Sequence, residues 1–165
     1  MELLTETSTQ TAELSPYEIE RNKPMPSLNH GLIQSNLIFE LKTLYRTNYS
    51  FPSEIEIIMP QKPNCVPDIA IYPKIQMDHL HDISKMKDMP ITAIEIVSSS
   101  QSNDDILAKF ERYFLAGVQS CWLVMPSFQA ISVYSAIGKY QFFNHGMILV
   151  DNANNIELPL NDIFC

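Results

Sequence analysis

The run Ile91-Thr92-Ala93-Ile94-Glu95-Ile96-Val97 constrains this chain more than any other. It is the most apolar strand-like segment. It is bounded by Pro90 on one side and by a run of serines on the other, which suits a central strand covered on both faces. Yet a carboxylate stands in its middle. Ionised side chains are almost never fully buried unless they are paired, so Glu95 demands a partner. A second acid, Asp68, stands near the start of the neighbouring apolar run Val66-Pro67-Asp68-Ile69-Ala70-Ile71-Tyr72. A metal ion is the partner that best suits two such acids.

The rest of the chain arranges itself around that strand. Residues 1–15 read as a loose polar tail, and residues 16–165 as a single domain. Tyr17-Glu18-Ile19-Glu20 alternates as a short strand does. Ser27 or Asn29 caps a helix ending near residues 46–48, with Ile33, Leu37, Leu41 and Leu44 as its buried stripe. Residues 54–59 and 66–72 form a predicted hairpin, and residues 74–90 an exposed polar loop. A second helix is expected over residues 104–116, stopped by Gly117, and a further strand over 118–125. A hairpin around Gly138 and two strands at 147–150 and 156–164 complete an α/β domain. Its mixed sheet is flanked by helices and extended by β-hairpins.

Composition narrows the function. The chain has 165 residues, 45% hydrophobic and 18% charged, which is a globular balance. No apolar run reaches the ~18 residues of a membrane span. The first ten residues lack the basic start and apolar centre of a signal peptide, so the expected location is the cytoplasm. The three cysteines, Cys65, Cys121 and Cys165, are odd in number and widely spaced, and read as reduced thiols. The net charge of -8 excludes the basic footprint of a tight, constitutive nucleic-acid binder. Any such contact needs a local patch or a divalent ion.

Period-two alternation puts Ile91, Ala93, Glu95 and Val97 on one face of their strand. Pairing with the Asp68 strand then lets two carboxylates converge. Mg²⁺ takes such oxygen ligands, and the backbone carbonyl of Ile96 could add another. On the following helix Asp105, Lys109 and Tyr113 share a face at i, i+4 and i+8, so Lys109 could point a cation at the acids. The bland alternative is an exposed Asp105–Lys109 helix pair. His30 could be a site residue or a polar residue of the first helical turn. Of Glu18, Glu20, Glu54 and Glu56, most read as solvated, Glu20 and Glu54 being the more interesting. Asp78, His79, His81 and Asp82 read as a wet loop. The serines at 98–102 lack the Gly-x-Ser-x-Gly turn of a serine hydrolase. Trp122, Phe128, Phe142 and Phe143 read as core.

These residues form an ordered set. Pro67-Asp68, then Glu95-Ile96-Val97, then Asp105, Lys109, Tyr113, Gly117-Val118, Trp122-Leu123-Val124 and Pro126 resemble the Uma-type restriction endonuclease family of the PD-(D/E)XK nuclease superfamily. Tyr17-Glu18 and His30 extend the likeness over nearly the whole chain after the tail. Each motif alone is weak; the order is specific. The resemblance implies a restriction-endonuclease-like fold and Mg²⁺- or Mn²⁺-dependent phosphodiester hydrolysis on DNA; the acidic balance favours a weak or target-selective nuclease, expected as a homodimer with two active sites. The resemblance makes Asp68 and Glu95 metal ligands. Superfamily members carry a Lys two residues after the Glu, where this chain has Val97. Relatives of this type move that Lys to the next helix, which gives the catalytic cation to Lys109. His30, Asp105 and Tyr113 are implied supporting residues. A catalytically silent binding or scaffold protein on the same fold is the competing reading.

Overall fold

The computed structural model describes residues 13–165 apart from 22 and 24, and not the side chains of residues 17, 20 and 21. Its helices are α1 (Pro16–Arg21), α2 (Leu28–Tyr45) and α3 (Asn103–Leu115). Its strands are β1 (Tyr49–Ser50), β2 (Glu56–Ile57), β3 (Ile69–Pro73), β4 (Lys85–Met86), β5 (Thr92–Ile96), β6 (Ser120–Met125), β7 (Ala130–Ala136), β8 (Lys139–Asn144), β9 (Ile148–Asp151) and β10 (Ile156–Pro159). A six-stranded mixed sheet runs β1-β3-β5-β6-β7-β8. β5 and β6 are parallel and the other neighbours antiparallel, with α3 as the crossover between β5 and β6.

Alternation along β5 divides the interior into two cores. Ile94 and Ile96 face α2, where Ile33, Leu37 and Leu41 pack with Ile69, Ile71, Trp122 and Val124. Ala93 faces α3, where Ile106, Phe110 and Tyr113 pack with Cys121 and Leu123. Every residue of β5 is buried, as a doubly covered central strand requires.

The helix ends are chemically fixed. Ser27 accepts from the His30 N–H and starts α2. Ser102 and Asp105 form a reciprocal capping box that starts α3. Gly117, at φ 104°, closes α3. The Gly117 N–H donates to the Phe114 carbonyl and that of Val118 to the Tyr113 carbonyl, the paired bonds of a Schellman stop.

Several expectations are corrected. Residues 17–20 are helical, because Ser15 and Glu18 cap α1 reciprocally at 3.2 and 2.8 Å. Ser15 is thereby fixed; residues 1–12 of the expected tail lie outside the described residues. Leu44 is half exposed. Tyr45 takes its place against the core, its hydroxyl bonded to the Glu157 backbone. The predicted hairpin is held only by two isolated antiparallel bridges, Ser53–Ile69 and Ile57–Cys65, which continue the register of β1 against β3. β3 pairs along its length with β1 and β5, while β2 pairs in parallel with β4, inside the expected loop. Trp122 and Phe143 are core, but Phe128 and Phe142 are exposed.

Candidate active site

Glu95 and Asp68 meet at one end of the central strands. β3 and β5 pair with Ile69 opposite Ile94, and one further step in that register sets Asp68 across from Glu95. Both acids are about 1% exposed. Asp68 Oδ2 accepts from the Ile96 N–H at 2.7 Å. Its backbone carbonyl accepts from Gln34 Nε2 at 2.8 Å and from the Glu54 N–H at 3.2 Å.

Each acid has its own lysine. Lys109 Nζ lies 3.2 Å from Glu95 Oε1. The Tyr113 hydroxyl donates to the same oxygen at 3.0 Å. One helical turn separates these two donors on α3, so the i, i+4 spacing delivers both to one carboxylate. Lys23 Nζ lies 2.6 Å from Asp68 Oδ1, and His30 Nε2 lies 3.1 Å from that oxygen. Among the described residues the other ring nitrogen of His30 is buried without a partner.

The acids respond oppositely. Burial would raise the Asp68 carboxyl, but the His30 hydrogen bond and the Lys23 charge bring it down to about 2. Burial raises Glu95; Lys109 opposes this, and the Asp68 charge adds to it. Burial would lower Lys109, but the Glu95 charge, the hydrogen bond to Glu95 and the Asp68 charge together raise it. The pair thus favours the lysine more than the acid, for Glu95 gives up nearly all its water while Lys109 keeps 24% of its side chain exposed.

An acid lowered in the folded state stabilises the fold above its unfolded pKa and loses that contribution as pH falls through the folded value. For Asp68 the window runs from about 4 down to about 2. Asp68→Asn is therefore expected to cost roughly 2 kcal/mol at pH 7 and progressively less in that window. Urea unfolding of both proteins at pH 7 and pH 3 checks this; an undiminished gap at pH 3 refutes it.

The remaining site expectations divide. Asp105 is exposed and caps α3 through Ser102 instead of joining Lys109. Ile96 meets Asp68 through its N–H. Glu54 lines the cleft at Asp68, together with Lys23, Met25, Pro26, His30, Ser98 and Gln101. Glu18 tethers the Lys23 segment by accepting from the Met25 N–H at 2.9 Å. Glu56 is held by Asn64 and Lys85. In the wet loop Asp78 pairs with His81, far from burial. Lys23 and Gln34 escaped the sequence reading. Lys23 lies 45 residues from its acid in a loop without periodicity, so nothing local marks it.

The sequence profile of the Uma2 family, described as putative restriction endonucleases, matches residues 1–159. The chain belongs to the Uma2 family. A crystal structure of a putative nuclease from Anabaena variabilis ATCC 29413 is similar in fold, with a TM-score of 0.72 and 22% identity. The match covers 86% of this chain and 83% of that one. No curated protein matches in sequence. Among the described residues no helix is long and apolar enough to cross a membrane. No group of three or more His, Cys, Asp and Glu among them forms a metal cage. Two buried carboxylates still suit Mg²⁺ or Mn²⁺, since Mg²⁺ is usually held by one or two carboxylates with water and substrate phosphate completing its shell.

Proposed function

We propose that this Uma2 protein is a divalent-metal-dependent endonuclease that hydrolyses phosphodiester bonds in DNA. The observation that carries the reading is two buried acids, Asp68 immediately before β3 and Glu95 within β5, with a lysine delivered to Glu95 by α3. Asp68 and Glu95 would hold Mg²⁺ or Mn²⁺. Such an ion, when bound, activates water and offsets charge on the phosphoryl group.

The chain's own residues supply the rest. The Ile96 N–H fixes Asp68 Oδ2, and His30 orients Oδ1. Tyr113 aims Glu95 and limits its rotation. The Lys109 ammonium, partly exposed at the site, would face the scissile phosphate and stabilise charge that develops on it. The metal also answers the charge objection, because a chain of net charge -8 needs a local cation to receive a polyanion. We place the protein in the cytoplasm, where its three free cysteines would stay reduced, and expect a homodimer with two such sites.

Plasmid DNA incubated with Mg²⁺ or Mn²⁺ tests the reading. Cleavage should require the metal and fall at least about a hundred-fold in Lys109→Ala, as when one transition-state donor is lost. The internal neutralisation of both acids by lysines gives the silent scaffold reading its footing. Metal binding without cleavage of single- or double-stranded substrates would favour that reading instead.

A further inference from the structure

Lys23 has a place that the proposed chemistry does not use. Its side chain is 9% exposed and its ammonium sits 2.6 Å from Asp68 Oδ1. His30 Nε2 approaches the same oxygen at 3.1 Å. A carboxylate oxygen has two lone pairs, and at Oδ1 Lys23 and His30 take both. The Ile96 N–H occupies the other oxygen, Oδ2, from within the sheet at 2.7 Å. A divalent ion that binds Asp68 through Oδ1 therefore has to displace a donor.

The three donors differ in how easily they can leave. The Ile96 amide belongs to a fully buried central strand. His30 is set in the first turn of an 18-residue helix. Lys23 follows a six-residue helix, on a segment tied locally to Glu18. Its own N–H donates to the Glu18 carbonyl at 3.2 Å, and the Glu18 carboxylate accepts from the Met25 and Ser15 N–H groups. Of the three, it is the only flexible side chain, with four rotatable bonds between backbone and charge.

We propose that Lys23 is a resident cation of the metal site, neutralising Asp68 when no divalent ion is bound and swinging off Oδ1 when one arrives. Metal affinity is then set by competition with an ammonium of the same chain. This lets two buried acids fold without metal, and it weakens the site toward scarce ions. The proposal rests on Asp68 being a metal ligand.

Calorimetric titration with Mn²⁺ tests it on wild type, Lys23→Met, Lys23→Gln and Asp68→Asn, each first checked for cooperative thermal unfolding. Both Lys23 variants should bind about ten- to a hundred-fold more tightly, the worth of one charge-assisted hydrogen bond. Asp68→Asn should lose binding. A second readout is amine acylation mapped by mass spectrometry on wild type. Lys23 should be protected without metal and modified at saturating Mn²⁺. Unchanged or weaker affinity in both Lys23 variants would overturn the proposal, as would Lys23 protection that persists at saturating Mn²⁺. In either case, binding still lost in Asp68→Asn leaves the metal site standing. Absence of Mn²⁺ binding in wild type and both Lys23 variants would overturn the proposal and the metal reading together.

Discussion

Glu95→Gln is expected to cut cleavage by roughly a thousand-fold while leaving the fold at least as stable as wild type. The two effects have one origin. Glu95 is 1% exposed, and burial raises its pKa against the pull of Lys109. A raised acid binds its proton more tightly in the folded state. Its ionised form therefore costs stability above the folded pKa, and the cost is relieved as pH falls through that value. The amide removes the charge at every pH and keeps an oxygen to accept from Tyr113. Lys109 loses its acid but keeps 24% of its side chain in water, so it is not stranded as a dry charge. Activity takes the opposite course, because an amide is a poorer ligand for a hard cation. A bound ion contributes several kcal/mol to the transition state, so cleavage should fall by roughly a thousand-fold. Thermal unfolding at pH 7 and a plasmid assay measure the two sides. A melting temperature more than about 5 °C below wild type would mean that the ionised acid stabilises the fold. Full cleavage would remove Glu95 from the site.

What the sequence disclosed depended on the range of each interaction. β5 could be read because burial on both faces leaves a continuous apolar run, and Glu95 stood out against it. α3 could be read because its cap, its apolar period and its glycine stop all lie within sixteen consecutive positions, and Lys109 and Tyr113 came with it. β2 and β4 are two residues each and pair across 29 positions, Glu56 with Lys85, so neither has a period to detect. Tyr45 displaced Leu44 because its hydroxyl bonds to Glu157, 112 residues away. Asp105 shared a face with Lys109 by count, but it is the third residue of its helix, where a local cap competes for the side chain. Phe128 follows Pro126 in a short turn after β6, which carries the ring outward although its chemistry suits a core. Lys23 is the clearest case. Its meaning comes wholly from Asp68, and that contact exists only in the fold.

Asp151 shows the same limit in a structural role, and Asp151→Ala should lower stability by about 3–5 kcal/mol. The carboxylate is 2% exposed. Its Oδ2 accepts from Ser120 Oγ at 2.6 Å, Trp122 Nε1 at 2.7 Å and Asn154 Nδ2 at 2.9 Å. Its Oδ1 accepts from the Ala153 N–H at 3.0 Å. Asn154 also donates to Thr92 Oγ1 at 2.8 Å, and that hydroxyl pairs with Ser120 Oγ at 2.6 Å. One acid thus ties the end of β9 to both parallel strands beneath it. Alanine leaves several buried donors unsatisfied, each costing about 1–3 kcal/mol, offset in part by removing a desolvated charge. The melting temperature should fall by about 10 °C or more for a chain of this size. Asp151→Asn keeps the shape but turns a donor toward other donors, and should fall between. Thr92 and Glu95 stand at opposite ends of β5, about 10 Å apart along the strand. Cleavage by the folded fraction of Asp151→Ala, assayed well below its melting point, should therefore match wild type. An unchanged melting temperature would show that the network contributes nothing net, and lost activity in a folded Asp151→Ala protein would mean that β5 transmits its register from one end to the other.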